Sequence, residues 1–128
     1  MRVAFDFGGT LSNSTNHPVL RELARLMIKG GIEVFVISAV EEGAHNRARI
    51  LNEIGELGLD FCGVHLVPRQ IDGNGRATFE TGRSKAFAMR QLAIDLLFDD
   101  EPEVCRAVRD EGLAALEVGP SKHVTEVK

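Results

Sequence analysis

Short apolar runs alternate with longer segments of helical periodicity, and this alternation constrains the fold of the chain more than any other feature. The runs are rich in β-branched and aromatic residues, as is typical of strands buried on both faces of a parallel sheet. They cover residues 2–7, 32–37, 61–67, 96–98 and 113–118. Strands that alternate with helices are joined by right-handed crossovers. The sequence therefore predicts an α/β fold: a three-layer, doubly wound, mainly parallel five-stranded sheet of the Rossmann-like kind.

The length of 128 residues predicts a single domain over residues 1–128. Helices are expected from Pro18 to about Gly30, over 41–54, over 84–94 and from Pro102 onward, because apolar residues recur there at helical spacing. The pattern breaks over residues 68–82, where Asp-Gly-Asn-Gly is a strong turn signal. We expect a small hairpin or flap in this segment. No insertion is long enough for a large cap domain.

Composition and charge exclude several classes of protein. Hydrophobic residues make up 44% and charged residues 27% of the chain, which is typical of a folded, non-membrane domain. The net charge is −4 and no basic stripe is present, which argues against non-specific nucleic-acid binding. The two cysteines are far apart and form no CxxC motif, so neither a disulfide framework nor a zinc site is indicated. With no export signal at the N-terminus, we expect a cytoplasmic protein.

Polar residues follow the predicted strands at the points where ligands gather in such sheets. Asp6, Ser38, Asp99 and Asp100 lie at or just beyond the carboxyl ends of three strands, and Lys85 begins the helix that precedes the fourth strand. Ligands of open α/β sheets bind outside the carboxyl ends of the strands. We therefore expect these side chains to converge at one edge of the sheet.

These residue types suit the handling of a phosphoryl group. The carboxylate of Asp6 can attack phosphorus and carry it as an acyl phosphate, which divides one difficult displacement into two easier ones. Backbone N–H groups around Gly8, Gly9 and Thr10 would hold the phosphate oxygens, with Ser38 as a further donor and Lys85 as a positive charge. Simpler roles exist for each group, since the glycines suit any tight turn and acidic residues before a proline suit a helix N-terminus.

A bound Mg²⁺ is also expected at this edge, because hard cations prefer oxygen ligands. Asp6 and Asp99 would be the principal acidic ligands, with Asp100 assisting. The ion would reduce the repulsion between the attacking carboxylate and the phosphate.

The segment Phe5-Asp6-Phe7-Gly8-Gly9-Thr10-Leu11 resembles the first motif, D-x-D-G-T-L, of the haloacid dehalogenase-like (HAD) superfamily. Ser38 after an apolar strand resembles the second motif of that family, Lys85 the third, and Leu97-Phe98-Asp99-Asp100 the acidic fourth. The ordered set covers almost the whole chain. It implies a small capless phosphatase of this superfamily that depends on Mg²⁺, with Asp6 as nucleophile and the carbonyl of Gly8 as a further metal ligand.

Gly8 is where the sequence departs from the family pattern. Phosphatases of the superfamily carry a second aspartate at this position, which protonates the leaving group and then activates water. General acid–base help of this kind is worth about 10²–10⁴-fold in rate, so we expect a slow phosphatase unless another group serves. His17, Glu41 and Glu42 are the candidate substitutes, because they follow the first two strands.

Two other interpretations stay open on the sequence alone. The first is a catalytically impaired domain that binds phosphate and metal or has a regulatory role, and Gly8 favours this interpretation. The second is hydrolysis of a non-phosphate bond, as in dehalogenases of the family, against which the paired acids at 99 and 100 argue.

The partner that the resemblance implies is a phosphorylated substrate whose identity the sequence does not specify. A membrane partner is not expected, and a nucleic acid is expected only as a phosphorylated substrate. An uncovered site would suit a macromolecular phosphate, or it would be closed by a neighbouring subunit of a homo-oligomer. The sequence does not choose between the two.

Overall fold

The computed structural model describes residues 1–12 and 17–119. Within these ranges five strands alternate with four helices. The elements in chain order are β1 (Arg2–Phe5), α1 (His17–Lys29), β2 (Glu33–Val40), α2 (Ala44–Gly55), β3 (Gly63–Pro68), α3 (Phe79–Leu92), β4 (Leu96–Asp99), α4 (Pro102–Asp110) and β5 (Ala114–Glu117).

The strands form one parallel sheet in the order β3-β2-β1-β4-β5, which confirms the predicted doubly wound architecture. The chain moves outward from β1 to β3, and α3 then carries it back across β1 to begin β4 on the other side. The direction of winding therefore reverses at β1, and such a reversal opens a crevice at the carboxyl ends of the adjacent strands. No large cap covers this edge in the described part of the chain.

Alternate side chains of the strands enter two separate cores. On one face, Phe5 of β1 and Val36 of β2 pack with Leu20 and Ala24 of α1. On the other face, Ile37 of β2 and other strand residues pack with side chains of α3 and α4. Because both faces of the strands are buried, the sequence of each strand is an almost continuous apolar run. The two helix layers fix the sheet rigidly beneath its carboxyl edge.

Two strand boundaries differ from the predicted ones, and both differences concern the site. β1 ends at Phe5 rather than Phe7, so Asp6 is the first residue beyond the strand. β2 continues to Val40 rather than ending at Ile37, because its ladder with β3 extends to the pairs Ser38 with Leu66 and Val40 with Pro68. Ser38 therefore lies inside β2 and does not end it.

Helix α3 begins at Phe79, five residues before the start that periodicity predicts. Thr78 is the N-cap, and its side chain accepts a hydrogen bond from the N–H of Thr81. The helix therefore includes Gly82, and Lys85 lies in its second turn rather than at its start. The preceding residues form a narrow turn that an antiparallel bridge between Ile71 and Ala77 closes.

None of the helices in the described ranges combines the length and the apolar character that crossing a bilayer requires.

Candidate active site

A cavity of about 280 Å³ lies at the carboxyl edge of the sheet. Asp6, Gly8, Ser38 and Lys85 contribute to its walls. They come from the end of β1, from β2 and from α3, as the strand-end rule predicts. The four other predicted site residues, which do not line the cavity, are Gly9, Thr10, Asp99 and Asp100.

Lys85 joins Asp6, which lines the cavity, to Asp99, which does not. Its Nζ donates to Oδ1 of Asp6 at 2.9 Å and to Oδ2 of Asp99 at 2.6 Å. All three side chains are buried. An ion pair at such depth tolerates the loss of water only because each charge has a close partner. The lysine therefore fixes the relative positions of the ends of β1 and β4.

The remaining oxygen of Asp99 is also engaged. Oδ1 accepts the backbone N–H of Glu101 at 2.9 Å, while Oδ2 accepts from Lys85. Asp100, by contrast, is only partly buried, and its Oδ1 lies 3.5 Å from the hydroxyl of Thr10, which donates to it. The two neighbouring aspartates thus have different surroundings. Asp99 holds the lysine, and Asp100 faces the loop that follows β1.

Carboxylate oxygens of Asp6, Asp99 and Asp100 lie within 4.8 Å of one another. Three oxygen donors at this spacing are the chemistry that a hard divalent cation requires, so the residues present fit a Mg²⁺ ion. The same crowding disfavours the charged carboxylates when no cation is present. Burial, with the repulsion of Asp100, raises the pKa of Asp6 to about 6. Burial, with the repulsion of Asp6, raises the pKa of Asp99 to about 7.

Asp100 and Lys85 complete the electrostatics of the cluster. Burial, with the repulsion of Asp99, raises the pKa of Asp100 to about 6. Burial alone would lower the pKa of Lys85, but the attraction of Asp6 and Asp99 outweighs it and raises the pKa above its ordinary value. Lys85 is therefore always positively charged. A further cation would stabilise the ionised forms of the carboxylates around it.

The loop after β1 is held by its own backbone hydrogen bonds. The N–H groups of Thr10 and Leu11 both donate to the carbonyl of Phe7, and the N–H of Gly9 donates to the carbonyl of Ser12. The amides of Gly9 and Thr10, which were predicted to hold phosphate oxygens, are thus used inside the loop. The loop instead presents Gly8 to the cavity and Thr10 to Asp100.

The adjacent glycines have different steric constraints. Gly9 has a φ of +79°, and a Cβ there would lie 2.2 Å from Oδ2 of Asp100. Only glycine permits this backbone conformation and this close approach. Gly8 has no such restriction, because a Cβ built on it meets no atom within 4 Å. The local structure would therefore accommodate an aspartate at position 8.

Of the three candidate substitutes for the missing acid, Glu41 lines the cavity, while His17 and Glu42 do not. Several cavity residues were not predicted from the sequence. They are Asn46, Arg49 and Glu53 of α2, Arg69 after β3, Thr81 of α3, and Glu101 before α4. The strand-end rule that selects Asp6 applies equally to Arg69, because Arg69 directly follows Pro68, the last residue of β3. The other five depend on how the helices pack.

No family model and no curated protein matches the sequence. Solved structures with the same fold are found at low sequence identity. A D,D-heptose 1.7-bisphosphate phosphatase from B. bronchiseptica, in complex with magnesium and phosphate, aligns with a TM-score of 0.67 and 12% identity, over 99% of this chain and 86% of that one. A chain of the Pnkp1/Rnl/Hen1 RNA repair complex aligns with a TM-score of 0.69 and 16% identity, over 94% of this chain.

The present chain spans only 43% of the chain from the RNA repair complex. An uncharacterized protein from Corynebacterium glutamicum aligns with a TM-score of 0.60 and 16% identity, over 98% of this chain and 90% of that one. These likenesses show that the chain shares its fold with these three structures, which agrees with the doubly wound sheet expected from the sequence.

Proposed function

We propose that the protein is a Mg²⁺-dependent phosphohydrolase that acts through an aspartyl phosphate on Asp6. The observation that carries the proposal is the buried Lys85 bridge between Asp6 and Asp99, with the carboxylate of Asp100 beside them. This arrangement lies at the wall of a cavity, at the edge of the sheet where ligands of this fold bind. One of the similar structures is a phosphatase in complex with magnesium and phosphate, which supports the proposal.

The reaction consists of two displacements at phosphorus. A carboxylate oxygen of Asp6 forms a bond to phosphorus while the bond to the leaving oxygen breaks, and the leaving oxygen takes a proton from solvent. Water then attacks the same phosphorus, phosphate departs, and the carboxylate is restored. Lys85 donates to Oδ1 of Asp6, and Oδ2 is therefore the oxygen that would attack phosphorus.

Mg²⁺ would be held by Asp6, Asp100 and the carbonyl of Gly8, and when bound it supplies positive charge that offsets the repulsion between carboxylate and phosphate. Asp100 suits the role of principal acidic ligand better than Asp99, because both oxygens of Asp99 already accept hydrogen bonds. In this proposal Asp99 contributes mainly by positioning Lys85. This ranking reverses the one expected from the sequence.

Ser38 and Lys85 are the side chains that would contact the phosphoryl oxygens, because both line the cavity beside Asp6. Gly9 and Thr10 contribute indirectly in this proposal. The close approach of Gly9 to Asp100 and the hydrogen bond from the hydroxyl of Thr10 both fix the position of the Asp100 carboxylate.

A second candidate function is a domain that binds phosphate and metal but turns over slowly or not at all. The observation that favours it is the empty space at Gly8, where no side chain is available to protonate the leaving group. Glu41 is the substitute that lines the cavity. A stable acyl phosphate without turnover would distinguish this second function from the first.

A phosphatase screen with and without Mg²⁺ tests the proposal. Its substrates are an aryl phosphate, small organic phosphates and an oligonucleotide with a terminal phosphate, the last because one similar structure belongs to an RNA repair complex. We expect hydrolysis that chelation abolishes and that Asp6→Asn reduces by more than about 10³-fold, because the nucleophile is removed.

Asp60→Asn is the matched control, since Asp60 is exposed and does not line the cavity. Equal activity of Asp6→Asn and Asp60→Asn would show that Asp6 is not the nucleophile.

A further inference from the structure

Arg69 carries a positive charge in the same cavity as Asp6 and Lys85. The residue is half-buried and lies immediately after β3. Nη2 of its guanidinium donates to the carbonyl of Gly75 at 3.1 Å. Among residues 1–12 and 17–119, no carboxylate lies within ion-pair distance of Arg69.

Two of the other acidic residues that line the cavity lie beside an arginine. Arg49 pairs with Glu53 at 3.0 Å, and Glu101 lies 3.9 Å from Arg76. Glu53 and Glu101 thus have other partners, and among the described residues Glu41, the third glutamate of the lining, makes no ion pair with Arg69. A guanidinium presents five N–H donors, and the bond to Gly75 uses one of them. Within the described residues, the other four N–H donors of the Arg69 guanidinium make no hydrogen bond to the protein.

The backbone around Arg69 is fixed from several sides. Its own N–H donates to the carbonyl of Val40 at 2.8 Å. The fully buried hydroxyl of Thr81 accepts the N–H of Gln70 at 2.9 Å and donates to the carbonyl of the same residue at 2.8 Å. Arg69 is therefore held in place before any ligand arrives, and such preorganisation lowers the cost of binding.

The turn that supplies the carbonyl of Gly75 is also fixed. Oδ1 of Asp72 accepts the N–H groups of Asn74 and Arg76 at 2.7 and 3.1 Å. The backbone N–H of Gly75 donates to the carbonyl of Asp72 at 3.1 Å. The turn over residues 71–77 thus acts as a support for the guanidinium.

We propose that Arg69 binds a second anionic group of the substrate, so that the enzyme acts on small phosphomonoesters that also carry a carboxylate or a second phosphate. This inference rests on the proposed function and names its substrate class. A guanidinium binds both kinds of anion by paired N–H donors, which is the shared chemistry. The cavity volume of about 280 Å³ suits a small molecule rather than a polymer.

A series of alkyl phosphates with increasing chain length tests the inference. Each length is compared with a terminal methyl, a terminal carboxylate and a terminal phosphate, so that the two anions are distinguished. For at least one length, we expect kcat/KM to be about tenfold or more higher with a terminal anion, since bonds to charged groups are strong. Arg69→Gln should remove this preference and leave the methyl-terminated substrates within about threefold of the parent.

Arg69→Lys keeps the charge and should retain part of the preference. Arg83→Gln is the matched control, because Arg83 is exposed, pairs with Glu80 at 3.4 Å and does not line this cavity. A parent enzyme with no preference for terminal anions would overturn the inference. An equal loss for all substrates in Arg69→Gln would overturn it as well.

Calorimetry with non-hydrolysable phosphonates separates this inference from the proposed function. Alkylphosphonates with and without a terminal carboxylate are titrated into the parent and into Arg69→Gln in the presence of Mg²⁺. Failure of every hydrolysis assay would contradict the proposed function, and the titration would still decide the role of Arg69. Tighter binding of the carboxylate form by the parent alone supports the inference, and equal binding of the two forms overturns it.

Discussion

Gly8 and Gly9 stand side by side in the loop after β1, yet only Gly9 is required by the structure. Its positive φ and its approach to Asp100 exclude any side chain. Gly8 has neither constraint, so the absence of an aspartate there is not imposed by packing. Gly8 therefore affects the chemistry of the site rather than its packing. It leaves the site without the acid that the family pattern has at this position.

Gly8→Asp is predicted to raise turnover of an aryl phosphate, because the new carboxylate faces the cavity and supplies acid–base help. The expected gain is about tenfold or more, and an acid in the best position would provide about 10²–10⁴-fold. The measurement is kcat in saturating Mg²⁺ for the variant and the parent. Gly8→Asn is the control, because it adds similar volume without an ionisable group. A variant no faster than the parent would mean that another group, with Glu41 first among the candidates, already serves.

The convergence of Asp6, Ser38 and Lys85 at one cavity could be predicted from sequence, because each is a polar residue at a motif position or near the end of a predicted strand. Arg69 also follows a strand, but arginine is common at such places on any protein surface. Its distinguishing feature is that no carboxylate of residues 1–12 and 17–119 lies within ion-pair distance of it, while Glu53 and Glu101 lie beside other arginines. Such pairing depends on tertiary structure and leaves no local signal.

The contact between α3 and α4 is the element-scale feature that places Lys85. Gly82 lies inside α3, and a Cβ on it would come within 2.6 Å of Cβ of Ala107 and 2.9 Å of Cα of Val104 in α4. The missing side chain allows the two helices to approach closely. In the sequence the same glycine resembles a helix boundary, which is why periodicity places the start of α3 too late.

Gly82→Ala is predicted to destabilise the protein by about 1–3 kcal/mol, because the added methyl group forces α3 away from α4. It should also reduce activity, since Lys85 lies one turn further along the same helix. Urea denaturation measures the first effect and the phosphatase assay the second. Gly55→Ala is the matched control in α2, where a Cβ meets no atom within 4 Å. A Gly82→Ala variant as stable as Gly55→Ala would contradict the close-packing account.

On the scale of the whole molecule, the alternation of strands and helices was sufficient to predict the five-stranded doubly wound sheet. The boundaries were less predictable, because the length of β2 is set by its partner β3 and the end of β1 by the loop that follows. The sequence ranks Asp99 above Asp100 as a metal ligand, and the proposed function reverses this order. The reversal depends on the hydrogen bond from Lys85 to Asp99, which only the packing of α3 reveals.

The carboxylate cluster makes the stability of the whole protein depend on pH and on Mg²⁺. In the metal-free fold Asp6 and Asp100 have pKa values of about 6 and Asp99 about 7, all above the ordinary value of 3.8. The folded protein therefore binds protons more tightly than the unfolded chain between these values. The cluster accordingly stabilises the metal-free fold less as pH rises through about 6 to 7.

We predict that Mg²⁺ reverses this trend, because it binds ionised carboxylates and competes with protons. The increase in Tm on adding Mg²⁺ should be larger at about pH 8 than at about pH 5.5. Thermal denaturation with Mg²⁺ and with a chelator provides the measurement. Asp100→Asn should reduce the Mg²⁺-induced increase, whereas Asp60→Asn should preserve it. An increase in Tm that is equal at both pH values would contradict a metal site built from these carboxylates.

Mass spectrometry of protein quenched with acid during turnover tests the nucleophilic role of Asp6 most directly. With Mg²⁺ and substrate present, we predict that the peptide containing Asp6 gains the mass of one phosphoryl group, and that hydroxylamine removes it. Omission of Mg²⁺ should prevent the adduct. Sustained Mg²⁺-dependent hydrolysis that leaves the peptide unmodified, together with full activity of Asp6→Asn, would contradict the account.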